Sequence, residues 1–473
     1  MLRQVTTKNG KVKGLPGNDP RITAFKGIPF AAPPVGKLRW KAPQSAAPWD
    51  GVLNAYEFGP ISIQDTPGLG DDLYCREWHV DCEIPMSEDC LYLNVWTGAK
   101  SCDEKLPVLV WYFGGAFQWG YTSEMEFNGE RLARQGIIVV SVGYRLGALG
   151  YLAHPDLTRE DPEHPTNFGL LDQQAGLKWV YDNIEAFGGD PEKITIGGQS
   201  AGGGSVLSLL SNPVNKKYVK GASMFSGIIR SPFFIDPIIQ PKPFEQAEAI
   251  GKDFIDFLGV GSVEEARELD AIAIRDAYAK FAVDHPRFTP CIDGISITDD
   301  PYKLMLEGKT LDVPVITGYT KDEFFFPIPA DSEVSGGNAI ALLDPDTQVI
   351  PSENGSLYNM VENSVNTVCH NHQKLMADNK MTSDMYIYSF EPSVPGDDNP
   401  GVFHSCDLWF FFGNVPMCHR AYTGKHYELS LTMSHYWTNF IKTGDPNGIG
   451  FDDKPLPKWS PVSAGNDKMI FTE

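Results

Sequence analysis

The sequence predicts an α/β fold: a mostly parallel central sheet flanked by helices, with antiparallel strands at its N-terminal edge. Three observations predict it. Short apolar runs alternate along the chain with longer stretches of helical periodicity. Those runs are continuously apolar rather than alternating, as strands buried on both faces are. Gly and Pro are scattered as turn punctuation, with no repeat, linker tract or low-complexity run, which favours one large unit.

In chain order, Ala24 to Phe30 and Leu91 to Trp96 are Gly- and Pro-bounded runs, read as the antiparallel edge strands. Leu106 to Trp111 and Ile137 to Val142 are the first buried parallel strands. Leu170 to Ile184 carries apolar residues at helical spacing. Lys193 to Ile196 and Ala222 to Phe225 read as strands, and Phe244 to Leu258 and Val263 to Phe281 as helices with charged outer faces. Val313 to Thr317 and Met385 to Phe390 complete the strands. Residues 1–473 are expected to form a single domain, with helical insertions around 236–300 and 328–380. In such a sheet, ligands bind outside the carboxyl ends of the strands.

Composition narrows the function. Hydrophobic residues at 42% and charged residues at 21% are globular averages and exclude disorder and coiled coil. The longest uncharged apolar stretch, Leu106 to Phe117, holds a Pro and two Gly and falls short of the roughly 18 residues that span a bilayer. With 61 acidic and 39 basic residues the net charge is −22, which repels nucleic acids and anionic membranes alike. No nucleic-acid or membrane partner is expected, and oligomeric state is not encoded in any pattern. The first residues carry charge but no apolar core, so a cytoplasmic location is expected. Eight cysteines are too sparse for a disulfide framework, which favours reduced thiols, although Cys75, Cys82, Cys90 and Cys102 cluster closely enough to pair locally.

The chemistry centres on Gly198-Gln199-Ser200-Ala201-Gly202. It follows a strand-like run and opens the helix-like Ser205 to Leu210, the strand-turn-helix setting that exposes a nucleophilic serine at the top of an α/β-hydrolase sheet. An acyl-transfer serine also needs donors aimed at the developing oxyanion. Two sources are present: the backbone N–H of Ala201, and the small-residue turn Phe113-Gly114-Gly115-Ala116-Phe117 at a strand exit. Seven histidines follow Ser200 (His285, His370, His372, His404, His419, His426 and His435), so chain order alone does not choose the base. Loop position favours His404, in a turn between Met385 to Phe390 and the aromatic run Trp409 to Phe412. For the orienting acid, Asp322 and Glu323 are adjacent after Val313 to Thr317 and remain tied. Cys369-His370-Asn371-His372 lacks a complementary ligand pair and reads as a solvated loop, so no metal is assigned.

These segments together resemble the type-B carboxylesterase and lipase family, which includes cholinesterases and bacterial nitrobenzyl-ester esterases. Phe187 to Gly202 looks like that family's active-site signature and Glu88 to Asn94 like its second signature. Similar segments run from Phe25-Lys26-Gly27-Ile28-Pro29 through Tyr144-Arg145-Leu146-Gly147 and Asp172-Gln173 to Thr443-Gly444-Asp445-Pro446-Asn447, nearly the whole chain.

The resemblance implies an α/β-hydrolase fold and a serine carboxylesterase needing no cofactor, with a small-molecule ester as substrate. It places the nucleophile on Ser200, the acid on Glu323, the base on His404, and the oxyanion donors on Gly115, Ala116 and Ala201. Phe113 stands where the family usually has His or Tyr, Phe324 and Ser405 replace glycines, and Gln199 replaces a frequent Glu, implying less negative charge beside the site. Phe113, Phe324 and Trp409 are the candidate substrate-binding residues. A position often disulfide-bonded in secreted members falls on Cys90, and Ser62 stands where its partner would be, implying an unpaired thiol. Two rival readings are a catalytically silent binding protein and a hydrolase for amide, thioester or lactone bonds.

Overall fold

The computed structural model describes residues 1–233, 240–329, 339–353, 355–465 and 468–473. Its centre is a ten-stranded sheet. In chain order the strands are β1 (Leu15–Pro16), β2 (Thr23–Pro29), β3 (Tyr92–Thr97), β4 (Leu106–Tyr112), β5 (Ile138–Val142), β6 (Gly189–Gln199), β7 (Gly221–Phe225), β8 (Val315–Thr320), β9 (Met385–Phe390) and β10 (Met469–Phe471). Their spatial order is β10-β9-β8-β7-β6-β4-β5-β3-β2-β1. From β5 to β10 every pairing is parallel, and from β5 back to β1 every pairing is antiparallel, as predicted. The parallel strands are the continuously apolar runs: all of Val108 to Tyr112, Ile138 to Val142 and Ala222 to Phe225 is buried.

Helices α1 (Phe168–Asn183), α2 (Ala201–Ser211), α3 (Phe244–Phe257), α4 (Ala271–Phe281), α5 (Met360–Ala377) and α6 (Gly424–Thr443) pack around this sheet and its loops. The stretch expected as one helix over Val263 to Phe281 is two. A short helix ends at Arg267, and Asp270 then caps α4 by accepting from the N–H groups of Ile272 and Ala273. Over 240–300 the helices are joined by the short parallel pair Lys242–Pro243 and Cys291–Ile292 and by irregular chain over 282–290, with 236–239 outside the described residues. The 328–380 segment departs from its expectation. Val349–Ser352 and Gly355–Asn359 are antiparallel strands that pair with each other and with Phe325–Pro327, and only α5 is a long helix there. The β-branched pair Val349-Ile350 and the following Pro351 disfavour helix, while residues 330–338 and 354 lie outside the described residues. Cys369 to His372 lie on α5, not in a solvated loop. Cys369 is buried and His372 Nε2 meets the Ser383 carbonyl at 3.0 Å.

Charged motif residues form largely buried ion pairs. Arg145 bonds Asp172 through Nε and Nη2 at 2.8 and 2.7 Å, with both side chains buried, and Arg39 binds Glu88 in the same bidentate way at 2.6 and 2.7 Å. Removing one partner of such a pair leaves a buried charge uncompensated, which is why both members are needed. No helix among the described residues is long and apolar enough to cross a membrane.

Candidate active site

Four consecutive parallel strands deliver the site. Ser200 follows β6, Ser226 follows β7, the Glu323 loop follows β8 and the His404 loop follows β9. All four arrive at the carboxyl edge, where the loops of a doubly wound sheet converge.

Ser200 sits at φ 55°, ψ −125°, between β6 and α2. A residue other than Gly held there costs about 1–3 kcal/mol, and the packing on either side enforces it. A Cβ on Gly198 would collide with the Gly202 carbonyl, and one on Gly202 with the Tyr112 carbonyl, so the turn closes only with glycine at both places. Ser200 N–H donates to the Phe225 carbonyl at 2.9 Å, pinning the turn to the next strand.

Of the two adjacent carboxylates, Glu323 is the one that faces His404. Glu323 Oε2 meets His404 Nδ1 at 2.5 Å, while Oε1 accepts from Ser226 Oγ at 2.5 Å and from Thr320 N–H at 3.1 Å. Burial alone would push this carboxyl up. The His404 charge and hydrogen bond, with those of Ser226 and Thr320, outweigh it and hold Glu323 below the ordinary carboxylate range. Asp322 turns the other way. Its Oδ2 accepts from Val402 N–H at 2.6 Å, and its own N–H donates to the Val402 carbonyl at 3.0 Å. It ties the loop carrying the acid to the loop carrying the histidine. Ser226 was missed by sequence reasoning, its only signal being a place at the end of a buried strand.

On the far side of the ring, His404 Nε2 meets the side-chain amide nitrogen of Gln199 at 3.0 Å. With Nδ1–H donated to Glu323, Nε2 is the acceptor and the Gln199 amide the donor. Among the described residues no hydrogen bond joins Ser200 Oγ to His404; the two side chains share a cavity wall. Gly114 makes room for the amide, since a Cβ there would lie 2.8 Å from Gln199 Oε1 and 3.1 Å from Ser200 Cβ. Behind the histidine, burial pushes Asp407 up to about 7, and the Glu323 charge acts in the same sense; the Tyr388 hydroxyl, donating at 2.6 Å, partly offsets both.

The turn after β4 holds Gly115 at φ 102° and Ala116 at φ 53°. Among the described residues, the N–H groups of Gly115, Ala116 and Ala201 engage no backbone carbonyl in turns or caps, and Gly115 and Ala116 line the cavity beside Ser200. Backbone N–H groups free of carbonyl partners are the kind of donor an oxyanion needs.

Two cavities meet at Ser200. The larger, about 540 Å³, contains His404 and is walled by Trp78, Trp119 and several acids: Asp65, Asp72, Glu124 and Glu126. The smaller, about 290 Å³, lies over the start of α2 and is bounded by Phe117, Leu207, Ile229, Arg230 and Arg287. Ala116, Trp119, Ser200 and Phe324 border both. Of the three aromatic candidates, Phe324 is 37% exposed and its ring lies 4.5 Å from that of His404. The other two need correcting. Phe113 is 2% exposed and stacked on Tyr144 at 4.3 Å, and Trp409 is 0% exposed in an aromatic core with Phe410, Phe411 and Phe412; neither borders either cavity. Their backbones sit near the site, but their side chains point into the layer behind it. Negative charge also differs from expectation. Gln199 removes a carboxylate beside the serine, yet Glu124 supplies one on the cavity wall, next to Glu126. Burial, and then the neighbouring Glu124 charge, push Glu126 well up, so it holds a proton there.

Two groups of potential metal donors, Glu77 with Cys418 and His419, and Asp344 with Asp346 and His370, lie outside both cavities. Their carboxylates are already engaged, Glu77 by Arg420 and Asp344 by His370 at 2.6 Å.

The sequence profile of the carboxylesterase family matches residues 2–339 and 344–472. The chain is 34% identical to the para-nitrobenzyl esterase of Bacillus subtilis over 463 residues, covering 94% of this chain and 90% of that protein. It is 31% identical to the cholinesterase of Mus musculus, covering 94% and 79% respectively. A solved para-nitrobenzyl esterase structure superposes with a TM-score of 0.77 at 28% identity, over 98% of this chain and 93% of that one. The chain belongs to the carboxylesterase family. It has the α/β-hydrolase fold and is a serine carboxylesterase acting on carboxylic esters.

Proposed function

We propose that Ser200 is the nucleophile, His404 the general base and Glu323 the acid that orients it, with Gly115, Ala116 and Ala201 donating to the oxyanion. The observation that carries this is the Glu323–His404 contact at 2.5 Å, on a cavity wall shared with Ser200. The ester carbonyl enters over Ser200 and displaces the Gln199 amide from His404 Nε2. Nε2 then takes the hydroxyl proton as Oγ bonds to the carbonyl carbon, and the carbonyl oxygen becomes an anion held by the three N–H groups. Collapse breaks the carbon–alkoxy bond, the imidazolium gives its proton to the leaving alcohol, and an acyl group remains on Ser200. Water, deprotonated by His404, releases the acid and restores the serine. Glu323 stays ionised throughout, consistent with its lowered pKa.

A cytoplasmic setting is part of the same reading. It is supported by the Cys90 thiol, which is free and lies against the Ser62 hydroxyl rather than a second sulfur. The test of the site is hydrolysis of p-nitrophenyl acetate, butyrate and octanoate by the purified protein beside its Ser200→Ala variant. Turnover that vanishes in the variant supports the assignment, and comparable turnover by both removes Ser200 from it.

A further inference from the structure

Among the described residues, two polar side chains bordering the smaller cavity, those of Gln240 and Arg287, have no hydrogen-bond or ion-pair partner. Gln240 is 3% exposed, and neither Oε1 nor Nε2 meets a hydrogen-bond partner among the described residues. A dry, unpartnered amide is costly and rare in folded proteins, and it marks a place that a ligand fills. Arg287 borders the same cavity with its guanidinium carbon 4.7 Å from the centre of a Trp119 ring, and it makes no ion pair among the described residues. Trp119 is itself fixed, donating from Nε1 to Asp65 at 3.0 Å, so the guanidinium rests on a held platform.

Backbone pairing sets these groups together. Lys242-Pro243 and Cys291-Ile292 form a parallel pair with Lys242 opposite Cys291, and continuing that register two residues back brings Gln240 alongside Thr289. Lys242 Nζ then donates to the Arg287 carbonyl at 3.0 Å and to Thr289 Oγ1 at 2.8 Å, locking the two segments. The cavity's other guanidinium, Arg230, is matched by Asp300 at 3.1 Å. In a chain of net charge −22, Arg287 is a cation that no carboxylate among the described residues compensates, on the cavity that borders Ser200.

We propose that the smaller cavity is a carboxylate subsite, so that the preferred esters carry a carboxylate on the half that enters it. Arg287 pairs with the carboxylate and the Gln240 amide N–H donates to it, while the methylene chain lies against Leu207, Ile229 and Pro290. One free guanidinium and one neutral amide balance a single charge on two oxygens. A phosphate monoester dianion would need a second free cation, and Asp300 already holds Arg230. The carboxylates of the larger cavity repel the same group and orient the substrate.

The inference rests on the esterase reading of Ser200, and its test separates the two. Two matched pairs are measured by pH-stat: monoethyl adipate against ethyl hexanoate, with the carboxylate on the acyl side, and 4-acetoxybutanoate against butyl acetate, with it on the alcohol side. The wild type is expected to favour the carboxylate in one pair by kcat/KM. Arg287→Met should lower that charged-to-neutral ratio about 10- to 100-fold, Arg287→Lys should restore part of it, and Gln240→Leu should lower it several-fold. Neutral esters turned over with no charge preference in either pair, or a preference that Arg287→Met leaves in place, overturn the subsite alone. Hydrolysis of none of the four overturns the reading of Ser200 with it.

Discussion

The two cavities that meet at Ser200 share a wall and differ in charge. The larger is lined mainly by residues 65–79 and 114–127 and presents Asp65, Asp72 and Glu124; the smaller is lined mainly by residues 227–230 and 287–302 and presents Arg287, unopposed among the described residues. The shared residues Ala116, Trp119, Ser200 and Phe324 carry no ionised group. Chemistry and selectivity are therefore separated in space. Bond breaking belongs to the seam, set by strand ends of the central sheet, whereas discrimination belongs to flanking segments outside it, which can vary without disturbing the seam.

Breaking the seam should abolish both sides together. Ser200→Ala is expected to lower kcat by several orders of magnitude for acetate and octanoate esters alike, with the melting temperature little changed, because members of such a constellation act as a unit. A loss confined to one acyl length would mean that the cavities do not share one nucleophile. Glu323→Gln comes next, with kcat reduced about 10³- to 10⁴-fold, since the amide favours the wrong tautomer of His404. Asp322→Asn should cost far less in kcat and show instead as a lower denaturation midpoint, because Asp322 clamps Val402 rather than the ring. The reverse ranking would transfer the acid to Asp322.

Gln199 sharpens the comparison from within the seam. Its amide occupies His404 Nε2 in the resting arrangement. Gln199→Ala should raise kcat/KM for small neutral esters by a few-fold, because the substrate no longer displaces that bond; a fall of a hundredfold would make the amide part of the catalytic machinery.

Another effect concerns stability under the seam rather than turnover. With Asp407 raised to about 7, the folded state keeps a proton that the unfolded chain releases above its ordinary value near 3.8. The cost therefore grows as pH rises from about 4 to 7, at ~1.4 kcal/mol per unit, and is constant above. Glu323, whose pKa is lowered, works in the opposite direction: its stabilisation is present above the ordinary carboxylate value and is lost as pH falls through its folded value. Asp407→Asn should accordingly flatten the decline in unfolding free energy between pH 5 and pH 8, by about 2–3 kcal/mol in urea titrations. Equal slopes in the two proteins would show that Asp407 is ionised in the fold at pH 7.

Much of this was legible in the residues themselves. The order of strands and helices, the parallel sheet with its antiparallel edge, and Ser200 with its flanking glycines all follow from local patterns, because a buried strand must be continuously apolar and a strained turn must shed its side chains. The break before Asp270 went unread, because apolar periodicity runs across it while its cap acts only on the first turn of α4. The strands at Val349–Ser352 and Gly355–Asn359 were not legible either, since the second of them is held on its other side by Phe325–Pro327, a partner that only the packed chain brings to it.

What the sequence determined by itself was the kind of chemistry: a serine elbow, a candidate histidine and a pair of acids in workable order. The resemblance placed the acid on Glu323; only the tertiary structure decided that Asp322 ties the loops, that Phe113 and Trp409 turn into the core while Phe324 borders both cavities, and that Arg287 and Gln240 lack ion-pair and hydrogen-bond partners among the described residues. The physical reason is the range of the forces. Backbone strain and strand burial act over a few neighbouring residues and leave a mark in a short window. The direction of a side chain and the charge lining a cavity depend on segments up to about two hundred positions apart, such as Gln199 and His404, and are settled only when the chain is packed.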